Sequence, residues 1–347
     1  MIKLEDVYAA LKEVMDLKNV RNVLLQKREG GVKVKFQLSA PADQMEELKK
    51  KAEEALKKLP DVVEIEIEEK PTTPVNVKMR RHPDIRHIIA VTSGKGGVGK
   101  STVAVNLAVA LAARGHRVGL LDGDVYGPSV PKMLGLEGSQ LYAKDGKIIP
   151  VERFGLKVLS IGFLIEEDTP VIWRGPLVHK TYEQFYYDVH WGELDFLIVD
   201  FPPGTGDPQI SASQLMRLRG GIAVTTPQDV AISDVKKAIN MFVKMNIPVI
   251  GVVENMSYFR CPKCGHVTKI FGEGGGERLQ KEMGVKLLAQ LPIEPDIVKA
   301  GDMGMPVIVA RPDSESAKVY LGLADTVAAE CERLEKEHRP GIPNIQI

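Results

Sequence analysis

The stretch HIIAVTSGKGGVGKSTVAVNLAVALAA, residues 87–113, constrains the fold more than any other part of the chain. It passes from an apolar segment through a glycine-rich turn into a long apolar segment of helical length. Strand, tight loop and helix in that order open a parallel α/β sheet. The loop has phosphate-cradle spacing: Gly94, four residues, then Gly99-Lys100-Ser101. Glycines let the backbone curl so that amides face an anion, and the following helix N-terminus adds a favourable dipole. The backbone of Gly94, Gly96, Gly97, Val98 and Gly99 is therefore a candidate phosphate site. Lys100 has the reach for β- and γ-phosphates, and the Ser101 hydroxyl is a candidate Mg²⁺ ligand.

Further apolar runs, VGLL, FLIVD, IAVTT and VIGVV, alternate with helical stretches from residue 88 to about 335. Such runs predict a mostly parallel sheet flanked by helices, with ligands at the carboxyl ends of its strands. Two of those ends carry carboxylates. LLDGDVYGPSVP, residues 120–131, places Asp122 and Asp124 two apart, where extended side chains share a face. LDFLIVDFPPGTGD, residues 194–207, ends four apolar residues in Asp200, a Walker B pattern that serves Mg²⁺. Gly204 and Gly206 follow, in a loop whose amide is suited to bond a γ-phosphate and let go after hydrolysis.

Residues 1–70 read as a separate small α+β unit of order αββαβ. Leu4, Val7, Tyr8, Leu11, Val14 and Met15 have helical spacing, as do Met45, Leu48, Ala52, Ala55, Leu56 and Leu59. Val32, Val34, Phe36 and Leu38 alternate like a strand after a Glu29-Gly30-Gly31 turn, and Val63, Ile65 and Ile67 alternate with glutamates. Docking or structure is the plain reading of this unit. Residues 71–87, rich in proline and carrying Lys78, Arg80, Arg81 and Arg86, read as a linker, and residues 336–347 as a tail.

Lysine plus arginine equals aspartate plus glutamate, 46 against 46, so no general basic footprint attracts nucleic acid or a membrane. Three cysteines in 347 residues argue for a reducing cytoplasm rather than a disulfide framework. Two of them, Cys261 and Cys264, lie in NMSYFRCPKCGH at residues 255–266, with metal-ligand spacing. Two thiolates fill only half of a tetrahedral zinc site or a four-cysteine cluster. His266 is a candidate third ligand for zinc. Cys331 sits in an amphipathic helical stretch and reads as a small core residue.

The motifs KGGVGKST, DGDVYGPSVP, WRGPLV at 173–178, WGELDFLIVDFPPGTGD at 191–207, TTPQDVAISDV at 225–235, VVENMSYFRCPKCGH at 252–266 and IFGEGGG at 270–276 follow in order. From about residue 88 to 315 the chain resembles the Mrp-type iron–sulfur cluster carrier ATPases, of the deviant Walker A class that includes MinD and ParA. The resemblance implies a slow ATPase that holds a [4Fe–4S] cluster between two subunits and passes it to apoproteins. It implies that Lys95 reaches the partner's nucleotide, Asp124 orients the attacking water with Asp122 as support, Thr102 meets the α-phosphate and Asn255 reads adenine. It also implies that the missing metal ligands are Cys261 and Cys264 of a second copy. A zinc-bridged MinD/ParA-like switch is the alternative, because CPKCG is equally a zinc-knuckle sequence. The family's N-terminal extension often carries an Asp-Pro motif where this chain has Asp16-Leu17.

Overall fold

Residues 2–72 form one layer of helix on one three-stranded sheet. The computed structural model describes residues 2–28, 30–72, 82–164 and 175–337. Lys78, Arg80 and Arg81 of the predicted linker, residues 173–174 of the WRGPLV motif and residues 338–347 of the predicted tail lie outside the described residues. The chain divides into two units, Met1–Lys78 and Met79–Ile347.

In the first unit, α1 (Leu4–Lys12), β1 (Val20–Arg28), β2 (Gly31–Pro41), α2 (Ala42–Leu56) and β3 (Val62–Thr72) follow in the expected order. β1 and β2 pair antiparallel, and β3 lies parallel to β2. Val7, Leu11, Val34, Phe36, Ala52 and Leu56 fill its core. Three predicted core residues face out: Leu4 and Tyr8, because only one stripe of α1 meets the core, and Val63. The pairing steps from Val32↔Val62 to Lys33↔Glu64, so Val63 is the extra residue of a bulge and turns outward.

The second unit begins earlier than its sequence texture suggests. β3 runs through Thr72 and β4 (Ile85–Ser93) starts within the predicted linker, where Arg86 pairs with Glu335 at 2.6 Å. α3 (Lys100–Ala113), β5 (Val118–Asp122) and α4 (Val130–Leu134) come next, then a β6–β7 hairpin (Tyr142–Lys144, Lys147–Ile149), β8 (Val151–Arg153) and β9 (Leu156–Ser160). α5 (Gly175–Tyr187), β10 (Leu194–Asp200), α6 (Asp207–Leu215), β11 (Gly220–Thr225) and α7 (Asp229–Lys244) complete the middle. β12 (Val249–Arg260), β13 (Val267–Thr268), α8 (Gly275–Met283), β14 (Leu287–Ile293), α9 (Pro295–Asp302), α10 (Val307–Ala310) and α11 (Glu315–Glu337) end it.

The sheet order is β13-β12-β11-β4-β10-β5-β9-β8, with β14 also on β12. Its strands are parallel except the edge strands β8 and β13. α3 is apolar all round and buried from Val103 to Leu111, because the sheet covers one side and α11 the other. Cys331 of α11 is fully buried in that layer, and burial pushes its thiol up to about 12. It is a core residue. No described helix is long and apolar enough to cross a membrane.

Candidate functional site

The order reverses at β4, the strand that feeds the phosphate loop, so a crevice opens at its carboxyl end. Registers align Asp200 of β10 with Val91 of β4 on one side and Asp122 of β5 on the other. Asp122 in turn lies level with Ser160 of β9. Three strand ends thus deliver their carboxylates and the loop to one level.

The loop is built for close backbone approach. Gly97 and Gly99 take φ +81° and +80°, a region closed to most side chains. A Cβ on Gly94 would sit 2.1 Å from the Asp234 carbonyl carbon, and one on Gly99 2.2 Å from Asn255 Nδ2. Asn255 Nδ2 donates to the Val98 carbonyl at 2.9 Å, so its first visible job is to brace the loop. α3 begins at Lys100 with Gly99 as N-cap and no side-chain cap, leaving its first amides for an anion. Ser101 and Thr102 stand in that first turn. The cradle fits a nucleotide phosphate. Gly99→Ala is expected to lower both nucleotide affinity and melting temperature, since it meets a forbidden φ and displaces Asn255; titration and a melt of the same sample check this.

Lys100 is buried, and its Nζ lies 2.5 Å from Asp200 Oδ1, 3.1 Å from Ser101 Oγ and 3.6 Å from Asp124 Oδ2. Asp200 Oδ2 is buried without a hydrogen-bond partner among the described residues, an acceptor suited to a metal's ligand sphere. Asp122, fully buried, accepts from Ser160 Oγ at 2.9 Å, Val130 N at 3.2 Å and Asp124 N at 3.3 Å. Burial, then the Asp200 charge, pushes its carboxyl up to about 7. Burial also raises Asp124, with Lys100 opposing. For Asp122 the folded state holds its proton to higher pH than the unfolded chain does. Its contribution to stability is therefore complete below about pH 4 and is lost as pH rises through about 7. Asp122→Asn is expected to flatten the fall in nucleotide-free melting temperature between pH 5 and 8, as a pH series of melts would reveal.

The loop after Asp200 is held in several places. Gly204, at φ +94°, donates its amide to the Ser93 carbonyl at 2.9 Å. That amide serves a phosphate only after this bond opens. Gln209 of α6 donates to the Pro202 and Pro203 carbonyls at 2.7 and 3.1 Å, while Tyr182 Oη holds the loop after Asp122, donating to the Gly123 carbonyl at 2.5 Å. Lys95 is half-buried and its ammonium makes no contact with a described carboxylate.

Cys261 and Cys264 stand at the tip of the β12–β13 hairpin, the first half-buried and the second exposed. The Cys261 amide donates to the His266 carbonyl, and the Gly265 amide, at φ +73°, to the Cys261 carbonyl, both at 2.9 Å. The amides of Cys264 and Lys263 hold the Cys261 thiol below its usual range, which favours thiolate. His266 does not join them: among the described residues no three His, Cys, Asp or Glu side chains are placed so that they could hold a metal ion.

Sequence reasoning missed Ser160, Gln209 and Glu254. Glu254 ends the apolar run VIGVV as Asp122 and Asp200 end theirs, and that signal was available. It is fully buried, accepting from Ser257 Oγ at 2.5 Å, Gly276 N at 2.6 Å and Gln290 Nε2 at 3.0 Å. Ser160 and Gln209 touch the site only through tertiary contacts.

Comparison with known proteins agrees with this arrangement. A family model described as NUBPL iron-transfer P-loop NTPase matches residues 84–328. Residues 4–67 match the iron-sulfur cluster assembly protein family. The iron-sulfur cluster carrier protein of Aquifex aeolicus is 45% identical over 339 residues, 91% of this chain and 90% of its own. The mouse iron-sulfur cluster transfer protein NUBPL is 49% identical over 245 residues, 70% of this chain and 77% of its own. Among solved structures, a nucleotide-binding protein of Archaeoglobus fulgidus in complex with ADP is 42% identical, with TM-score 0.57, over 64% of this chain and 87% of that one. With a phosphate cradle at β4, carboxylates at its neighbours and a family model covering most of the nucleotide unit, this chain belongs to the NUBPL/Mrp-type iron–sulfur cluster carriers, P-loop NTPases of the ParA family.

Proposed function

We propose that this protein carries a [4Fe–4S] cluster between two copies of itself and delivers it to apoproteins, with ATP hydrolysis setting capture and release. The observation that carries the reading is one strand, β12, which braces the phosphate loop through Asn255 and ends at the exposed Cys261–Cys264 hairpin. Each hairpin offers two sulfurs, and a two-fold interface brings two hairpins together as a four-cysteine set.

In the nucleotide step, the loop amides and Lys100 hold the β- and γ-phosphates, which draws Lys100 away from Asp200. Ser101 Oγ and the released Asp200 carboxylate would hold a Mg²⁺, which would supply neutralisation of the phosphate charge. Asp124 orients a water that attacks the γ-phosphorus; the bond to the bridging oxygen breaks, leaving ADP and phosphate. Asp122, fixed by Ser160 and the Val130 amide, holds the Asp124 backbone in place. Lys95, with no carboxylate beside it among the described residues, serves a partner's nucleotide. Asn255 Oδ1 is left to read adenine while Nδ2 holds Val98. The setting is a reducing one, the cytoplasm, where the hairpin thiols persist.

Anaerobic reconstitution with iron and sulfide, followed by metal, labile sulfide and mass determination, tests the reading. About four irons and four sulfides per dimer are expected. One tightly held zinc per dimer, with no cluster formed, would overturn it and make the hairpins a structural clasp.

A further inference from the structure

β12 does not run straight from the phosphate loop to the cysteines. It pairs with β14 at Glu254↔Gln290 and next at Tyr258↔Pro292. Residues 255–257 therefore oppose a single residue of β14, Leu291, and bulge out of the ladder. The bulge brings Asn255 onto Val98. It holds Met256 at φ +56°, an uncommon backbone for a long side chain. Met256 also packs at the loop: a Cβ on Gly99 would lie 3.8 Å from its Cε.

Glu254 closes this bulge. Its Oε1 takes Ser257 Oγ from the far end of the bulge and Gln290 Nε2 from β14, while Oε2 takes the Gly276 amide in the first turn of α8. A carboxylate alone supplies acceptors on both oxygens. Beyond the bulge, Tyr258 Oη and Arg260 Nε meet Glu315 at 2.8 and 3.0 Å, so the strand is tied again just before Cys261. A loosened bulge would take up any shift of the phosphate loop; a locked one passes it along the six residues to the cysteines.

We propose that Glu254 is a positioning residue: by locking the 255–257 bulge it couples the state of the phosphate loop to the geometry of the Cys261–Cys264 hairpin. The purpose of the coupling rests on the carrier reading above, but the coupling itself needs no cluster. This separates the two in experiment.

The test is the alkylation rate of Cys261 and Cys264 by iodoacetamide in the metal-free full-length protein, with and without a non-hydrolysable ATP analogue, read by peptide mass spectrometry. Buried Cys331 serves as the internal control for unfolding. For the wild type the analogue should change the rate by at least about fivefold, the lower end of ordinary coupling between sites. In Glu254→Gln one acceptor becomes a donor, so Gly276 N or Gln290 Nε2 faces another donor and loses its partner, and the ratio should fall to nearly one while the analogue still binds. A residue that only stabilises the fold would move both rates together and leave their ratio alone. Ser257→Ala, a milder change inside the bulge, should lower the ratio part of the way and decides the matter if Glu254→Gln does not fold. Retention of the full ratio in both variants, or its absence in the wild type, overturns the proposal. A wild-type ratio lost in the variants, together with a failed iron reconstitution, would sink the carrier reading and leave the coupling standing.

Discussion

Lys100→Ala is expected to lower ATP turnover by about 10²–10³-fold, the usual cost of removing one preorganised group that faces developing phosphate charge. A second effect follows from the nucleotide-free geometry. Lys100 Nζ lies 2.5 Å from Asp200 Oδ1, and Asp200 Oδ2 has no hydrogen-bond partner among the described residues. Without the lysine a fully buried carboxylate loses its cation. Breaking such a pair from one side costs about 3–5 kcal/mol, so the nucleotide-free variant should melt several degrees lower. Lys100→Ala with Asp200→Asn should then regain much of the stability and none of the turnover, because the neutral amide no longer needs the ammonium. A calorimetric melt of the wild type, Lys100→Ala, Asp200→Asn and the double variant beside a phosphate-release assay checks both halves. If the double variant melts as low as Lys100→Ala, the pair is not what holds the empty site together.

The Cys261→Ala, Cys264→Ala variant should behave in the opposite way, with chemistry lost and fold kept. Cys264 is exposed and Cys261 half-buried at a hairpin tip. Replacing them should alter stability by no more than about 0.5 kcal/mol, as for most surface changes. Iron and sulfide retained after reconstitution should fall to background, and the proposed metal-bridged dimer should be lost on a sizing column. ATP binding should persist, since the phosphate loop and the hairpin occupy opposite ends of the distal half of β12. Bound iron that survives the double change would mean that other ligands hold it, and the two-hairpin reading would fail.

Much of this was legible in residue order. The phosphate spacing from Gly94 to Ser101, the apolar runs ending in Asp122 and Asp200, and the CxxC hairpin each depend on neighbours in sequence. Strand direction and loop chemistry are local properties, so they can be read locally. The αββαβ order of residues 4–72 was legible for the same reason. Errors arose where a second element decided the outcome. Val63 follows the alternation but is expelled by a bulge that depends on pairing with β2. Leu4 and Tyr8 keep helical spacing, yet α1 has more apolar residues than the core has room to cover. Strand periodicity also gave no hint that the Gly204 amide is taken by Ser93, or that Asn255 spends its amide on Val98.

Sequence by itself determined that this chain is a parallel α/β nucleotide-binding unit with a small α+β unit before it and a closely spaced cysteine pair, Cys261 and Cys264, within it. It did so because phosphate cradles, buried strands and CxxC turns are built from contiguous residues with narrow chemical requirements. Only the tertiary structure decided how the parts meet. The register of β4, β5 and β10 stacks Asp122, Asp200 and Lys100 into one buried charge cluster, and the clamp on Glu254 draws on residues 257, 276 and 290. Such contacts join residues far apart in the chain, and their energies come from burial and from shared hydrogen bonds, neither of which exists until the sheet has closed around them.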